Sequence, residues 1–100
     1  MDKNTALNIA ADFANAVRSK YGDLRVILFG SFAKGNFHEE SDIDIAVIFH
    51  DYSSRSEMQL ELMKMRRKID SRIEPHPFRI KEFQNHLPLV SEIVTHGQIL

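Results

Sequence analysis

Two short apolar runs, each joined at one end to residues that carry chemistry, most constrain what this chain can fold into. The first, residues 24–29, is rich in β-branched side chains and is closed by Gly30, which is typical of a strand buried on both faces. The second, residues 42–49, alternates between acidic and apolar residues at its start and is wholly apolar at its end. We therefore predict two strands whose polar ends carry the functional residues.

The pattern around these runs predicts helices. Apolar residues recur at three- and four-residue intervals over residues 5–21, where Gly22 follows as a helix stop. The same spacing returns over residues 55–69, and Ser54 with Glu57 has the arrangement of a capping box. We expect one helix before the first strand and a second after the other strand.

The last third of the chain is more mixed. Residues 71–78 form a third strand candidate, in which two prolines remove ladder donors and indicate an edge strand or a broken one. A short helix around residues 81–83, a helix over residues 88–96 with Leu89, Ile93 and Val94 on one face, and a strand stub at residues 99–100 follow. This order predicts an α+β fold: a small mixed β-sheet flanked by helices that cover one of its faces.

Size and charge narrow the possible classes of protein. A chain of 100 residues is expected to form one domain, residues 1–100. Its 13 Lys and Arg against 14 Asp and Glu give a net charge of −1, so we expect no direct nucleic-acid binding. The absence of cysteine leaves Asp, Glu and His as the side chains that could hold a metal. With neither a secretion signal nor a membrane-length apolar run, the sequence favours a cytoplasmic protein.

Asp42 and Asp44 form the first functional candidate. Two residues apart on a strand, they point to the same face, with attachment points roughly 6.5 Å apart. A cation between them would relieve the repulsion of the two carboxylates, and such hard oxygens select Mg²⁺, Mn²⁺ or Ca²⁺. On its own, an Asp-x-Asp at a strand start is also common as a solvent-exposed polar pair that binds no metal.

Gly30 and Ser31 form the second candidate. Directly after a buried strand, a glycine lets backbone approach a ligand closely, while exposed N–H groups and a Ser hydroxyl can hold an anion. This arrangement suits a phosphate, although a lone Gly-Ser also serves simply to end a strand. The chain contains no Gly-x-x-x-x-Gly-Lys-Ser/Thr sequence, so this is not a Walker loop.

Taken together, Gly30-Ser31, ten residues and Asp42-x-Asp44 resemble the signature of the DNA-polymerase-β-like nucleotidyltransferases, written here as GSFAKGNFHEESDIDIAVIF. The sequence looks most similar to minimal nucleotidyltransferase (MNT) domains that act with HEPN-domain proteins. The resemblance implies that Gly30, Ser31, Lys34 and Ser41 bind the nucleotide. It also implies that Asp42, Asp44 and a third carboxylate bind Mg²⁺, or Mn²⁺, and carry catalysis.

The third carboxylate implied by the resemblance is Glu74, in the later strand candidate. Glu stands here where Asp is commoner in the family, and Pro75 follows where an apolar strand residue is usual. His76 would share the strand face of Glu74 and could contact the nucleotide or the acceptor, but a surface histidine between two prolines is the simpler interpretation.

The resemblance also implies an activity and a partner. MNT domains of this kind transfer AMP from ATP to a tyrosine hydroxyl of a HEPN toxin, acting as its antitoxin in a hetero-oligomer. Larger nucleotidyltransferases carry a further helical domain for the acceptor, for which we expect no room here. Two alternatives stay open: a non-catalytic antitoxin that occludes its partner, favoured by the Glu74-Pro75 departure, and an aminoglycoside-type nucleotidyltransferase of small molecules.

Overall fold

The computed structural model describes residues 1–84 and 87–100. Helices and strands alternate along the chain much as the sequence predicts. In chain order they are α1 (Lys3–Tyr21), β1 (Arg25–Phe29), α2 (Ser31–Lys34), β2 (Ile43–Phe49), α3 (Arg55–Arg66), β3 (Ile73–Arg79), a 3₁₀ helix (Ile80–Gln84), α4 (Pro88–His96) and β4 (Gln98–Ile99).

Side-chain caps set the starts of the two long helices. α1 begins two residues earlier than the sequence pattern predicts, because the Asp2 carboxylate accepts a hydrogen bond from the Thr5 N–H at 2.8 Å. The predicted capping box of α3 is confirmed, since the Ser54 hydroxyl accepts from the Glu57 N–H at 3.3 Å.

The four strands form one mixed sheet in the order β3-β2-β1-β4. β2 pairs antiparallel with β1 and parallel with β3, and β4 pairs antiparallel with the other side of β1. The α+β prediction of a small mixed sheet is thereby confirmed. β1 and β2, the two runs that first suggested strands, occupy its centre.

One face of the sheet packs against α1 and α3. The fully buried side chains of this first cluster come from α1, α2, α3 and alternate positions of the strands; the largest are Phe13, Leu28, Phe32, Ile43, Ile45, Leu62 and Ile73. The apolar stripe predicted for residues 5–21 provides the α1 part of this cluster.

The opposite face packs against α4, so the expectation that helices cover one face is wrong. This second cluster contains Ile27, Phe29, Ala46, Ile48, Phe78, Val90 and Ile93. The physical reason is that β1 and the second half of β2 are apolar on both faces and must be covered on both. The predicted apolar face of α4 is also corrected: Val90 and Ile93 are buried, whereas Leu89 and Val94 are exposed.

β3 is a continuous edge strand despite Pro75 and Pro77. The proline carbonyl oxygens accept hydrogen bonds from side chains outside the sheet. The Gln59 amide donates to Pro75 at 2.8 Å, and Arg55 and the Tyr52 hydroxyl donate to Pro77 at 2.8 and 3.2 Å. The predicted edge position is confirmed and the break is not found, because the missing donors leave the pairing with β2 intact.

Within the described ranges, no helix combines the length and apolar character needed to cross a membrane.

Candidate active site

The candidate site lies where β1 ends and β2 and β3 begin. Asp44 is the residue of β2 that faces Phe29 of β1 on one side and Glu74 of β3 on the other. Because facing residues in a sheet share a face, Asp44 and Glu74 project to the same side. Two of the three predicted carboxylates are therefore cross-strand neighbours.

Gly30 directly follows β1 and lies beside the Asp44 carboxylate. Its φ of 73° lies in the region that side chains disfavour. A Cβ added here would also collide with Oδ2 of Asp44. Backbone and carboxylate thus approach closely enough that only glycine fits.

Ser31 and Lys34 begin and end the short helix α2 that follows. The Lys34 ammonium lies 3.1 Å from a carboxylate oxygen of Glu92, on α4. Lys34 is therefore part of an ion pair that joins α2 to α4, a contact that sequence reasoning missed because Glu92 lies far along the chain.

Ser41 and Asp42 lead into β2. Ser41 is buried, and its hydroxyl oxygen accepts a hydrogen bond from the His38 N–H at 2.8 Å, which shapes the loop before the strand. Asp42 is exposed and precedes the first residue of β2, whose N–H donates to the Arg72 carbonyl at 2.9 Å. Asp42 therefore lies at the open rim of the site and Asp44 lies deeper.

Glu74 is half-exposed and lies near a cation. Arg66, at the end of α3, donates to the backbone carbonyls of Ser71 and Ile73 at 3.1 and 2.9 Å and lies 4.0 Å from the Glu74 carboxylate. This arrangement holds the start of β3 against α3. It also places positive charge beside the predicted third carboxylate.

His76 contacts Asp44 directly. Its Nε2 lies 3.2 Å from Asp44 Oδ1, and its ring meets the Phe29 ring edge to face, with centroids 5.0 Å apart. The interpretation of His76 as a plain surface residue is therefore wrong. Alternation puts Glu74 and His76 on one strand face, but the contact with Asp44 also needs the register of β3 against β2, which the sequence pattern does not give.

The donor set suits a hard divalent cation, although the carboxylates are not gathered around one point. Asp42, Asp44 and Glu74 provide carboxylate oxygens, the ligands that Mg²⁺ and Mn²⁺ prefer. Across residues 1–84 and 87–100, no three acidic or histidine side chains lie close enough together to hold a metal ion. The chemistry of these carboxylates fits such a cation, with Asp44 and Glu74 on one face of the sheet and Asp42 exposed beside them.

A separate groove of about 440 Å³ opens between α1 and α3, on the opposite face of the sheet. Its lining combines charged and apolar side chains: Ala16, Lys20, Glu61, Lys64, Met65, Lys68 and Ile69. None of the predicted site residues lines it, so this groove is separate from the candidate active site.

Comparison with known proteins defines the class of this fold and site. The sequence profile of the family described as Nucleotidyltransferase domain matches residues 11–100, which is most of the chain. The chain belongs to this family, and the resemblance seen in the sequence is confirmed.

Particular relatives extend this result. Two proteins of Methanocaldococcus jannaschii, both named "Putative protein adenylyltransferase", match parts of the chain. One is 54% identical over 39 residues, 37% of this chain and 39% of the relative. The other is 47% identical over 55 residues, 53% of this chain and 54% of the relative. The matches thus span about two fifths to about half of the length of these relatives.

Solved structures share the fold. A crystal structure of a "putative nucleotidyltransferase" from Sulfolobus solfataricus aligns with a TM-score of 0.64 and 25% identity, covering 97% of this chain and 80% of that chain. A mutant of the toxin-antitoxin MntA-HpeT aligns with a TM-score of 0.59 and 25% identity, covering 100% of this chain and 72% of that chain.

Proposed function

We propose that this protein is a nucleotidyltransferase that transfers AMP from ATP to a tyrosine hydroxyl of a HEPN-domain toxin and thereby acts as its antitoxin. The observation that carries the proposal is the register of β2 and β3, which sets Asp44 opposite Glu74 and beside the turn at Gly30. Membership in the nucleotidyltransferase family and the names of the relatives support it.

Each predicted residue has a role in this reaction. Gly30 and Ser31 would bind the triphosphate, with Ser41 and Lys34 contributing at its edge. Asp42, Asp44 and Glu74 would hold Mg²⁺, or Mn²⁺, which neutralises phosphate charge when bound. The acceptor oxygen attacks the α-phosphorus, the bond to pyrophosphate breaks, and Glu74 receives the hydroxyl proton.

The toxin partner is proposed from the structural neighbour. MntA-HpeT is a toxin-antitoxin pair, and its structure aligns with the whole of this chain. A protein acceptor agrees with the name of the archaeal relatives, protein adenylyltransferase. We propose that this protein and its toxin partner form a hetero-oligomer in the cytoplasm.

The test is transfer of α-labelled ATP, with Mg²⁺, to a protein that co-purifies with this one. Wild type should label the partner, and Asp42→Asn/Asp44→Asn should abolish the labelling. The matched control is Glu39→Gln/Glu40→Gln, which removes two carboxylates from the exposed loop between the motifs and should label normally.

Three other outcomes would contradict the proposal. Labelling that persists in the double Asp variant would exclude the carboxylate site. Inhibition of the partner without nucleotide, and equally by the double Asp variant, would indicate a non-catalytic antitoxin. Labelling of an aminoglycoside but not of the partner would indicate a small-molecule transferase.

A further inference from the structure

We infer that His76 is a positioning residue that fixes the Asp44 carboxylate in the orientation the site needs. The inference rests on the proposed function, because it assigns Asp44 a cation to hold. It deepens that proposal by adding a residue outside the Gly-Ser and Asp-x-Asp motifs.

The two oxygens of Asp44 have different surroundings. Oδ1 lies 3.2 Å from His76 Nε2, so the Nε2–H tautomer donates a hydrogen bond to it. Oδ2 faces Gly30, close to the position that a Cβ would occupy there. One oxygen is thus held by the imidazole, and the other is directed to the turn proposed to bind the nucleotide.

Strand register explains how His76 reaches Asp44. His76 faces Ala46 across the parallel pair, two residues beyond Asp44 on the same face of β2. The imidazole lies diagonally across the strand pair, because its Nε2 contacts Asp44 rather than the residue that His76 faces.

The imidazole is itself held in place. The Phe29 ring packs against it at 5.0 Å with the planes 62° apart, and Phe29 faces Asp44 across β1 and β2. Pro75 and Pro77 flank His76 and restrict the backbone of β3 on both sides. A hydrogen-bond donor fixed in this way orients a carboxylate more firmly than a mobile surface residue would.

The experiment is a Mn²⁺ titration of the full chain followed by electron paramagnetic resonance, at one fixed pH. His76→Phe should weaken Mn²⁺ binding about tenfold, the lower end of the range expected when a residue that hydrogen-bonds to a metal ligand is removed. His76→Gln, whose amide places a donor where Nε2 lies, should bind close to wild type. His50→Phe, at an exposed position, removes a histidine without the contact and should leave binding unchanged.

Asp44→Asn separates this inference from the proposed function. If Asp44→Asn binds Mn²⁺ as wild type does, the proposed site fails and the inference fails with it. If Asp44→Asn loses binding but His76→Phe does not, the site stands and the role of His76 is overturned. Tighter binding by His76→Phe, or no rescue by His76→Gln, also overturns it. Thermal unfolding of every variant checks that the fold is intact.

Discussion

A side chain at position 30 would have to occupy space that the Asp44 carboxylate fills. Two effects should therefore destabilise Gly30→Ala: a positive φ that alanine disfavours by about 1–3 kcal/mol, and displacement of Oδ2 of Asp44. We expect lower stability together with loss of Mn²⁺ binding, measured by urea unfolding and by titration.

Gly22→Ala is the matched control for this prediction. Gly22 has a similar backbone conformation, with φ 97° and ψ −164° against 73° and −153° at Gly30. Nothing lies within 4 Å of a Cβ there. It should lose stability but keep Mn²⁺ binding; equal binding by the two variants would show that the space at Gly30 has no role in the site.

Asp70 gives a prediction for pH. In the turn before β3 its carboxylate accepts from the Arg72 guanidinium at 2.9 and 2.7 Å and from the Arg72 N–H at 2.9 Å. The Arg72 side chain is the main reason that the pKa of Asp70 lies below its usual value of 3.8. A lowered pKa stabilises the fold above the unfolded-state pKa, and this contribution is lost as the pH falls through the folded-state pKa.

Asp70→Asn should accordingly lower the free energy of unfolding by about 1 kcal/mol near neutral pH. The difference from wild type should shrink below about pH 4, because the wild-type carboxyl then becomes protonated too. Urea unfolding across this pH range measures it, with Asp12→Asn on the exposed side of α1 as control. A difference independent of pH would mean that the carboxylate charge is not involved.

For individual residues, the sequence predicts which residue types could act in the site better than it predicts their contacts. Glu74 and His76 could be predicted to share a face, because alternation along β3 decides it. The hydrogen bond between His76 and Asp44 depends on the register of β3 against β2, which no local pattern states. Spacing alone therefore left His76 as a surface residue.

Among the elements, α2 and α4 are joined by the ion pair of Lys34 and Glu92, whose side chains are 37% and 32% exposed. Glu92→Gln should change the free energy of unfolding by less than about 1 kcal/mol, as exposed pairs do. It should also strengthen ATP binding, measured by calorimetry, because it frees Lys34 for the phosphates.

Glu61→Gln is the control for this prediction. It breaks a similar ion pair, Lys20 with Glu61 at 2.9 Å, on the far face of the sheet. ATP should bind this variant as it binds wild type. Equal ATP affinity in the two Gln variants would remove Lys34 from the nucleotide site.

Element boundaries and element placement differ in how well they could be predicted. The strands and helices follow from periodicity and caps, which are local. The face of the sheet that α4 covers is decided by tertiary packing, because α4 packs on the face that α1 and α3 leave uncovered. The continuity of β3 through Pro75 and Pro77 likewise depends on donors from α3 and the segment before it.

For the whole molecule, the two hydrophobic clusters share the central strands β1 and β2. Along β2, Ile43, Ile45 and Val47 belong to the first cluster, and Ala46 and Ile48 to the second. Loss of packing on one face of the sheet therefore disturbs β2, which also supports the cluster on the other face. We expect both faces to unfold in one cooperative transition.

Ile93→Ala tests this cooperativity. It should destabilise the protein by about 2–5 kcal/mol by removing buried volume from the second cluster. The chain has no tryptophan, and both tyrosines pack against the first cluster, so tyrosine fluorescence reports the face away from the mutation. Fluorescence and circular dichroism should shift together, while Val94→Ala, 68% exposed on the same helix, should shift neither. A fluorescence midpoint that stays at the wild-type value would show that the faces unfold separately.

The outer edge of β3 determines how copies of this sheet can join. Two of its positions are prolines without an N–H, and the carbonyls of Ile73, Pro75 and Pro77 already accept hydrogen bonds from side chains. A strand from another chain would find few free partners there, whereas β4 is the opposite edge. Any assembly that extends the sheet would therefore join through β4, which would set the two acidic sites at far ends of one continuous sheet.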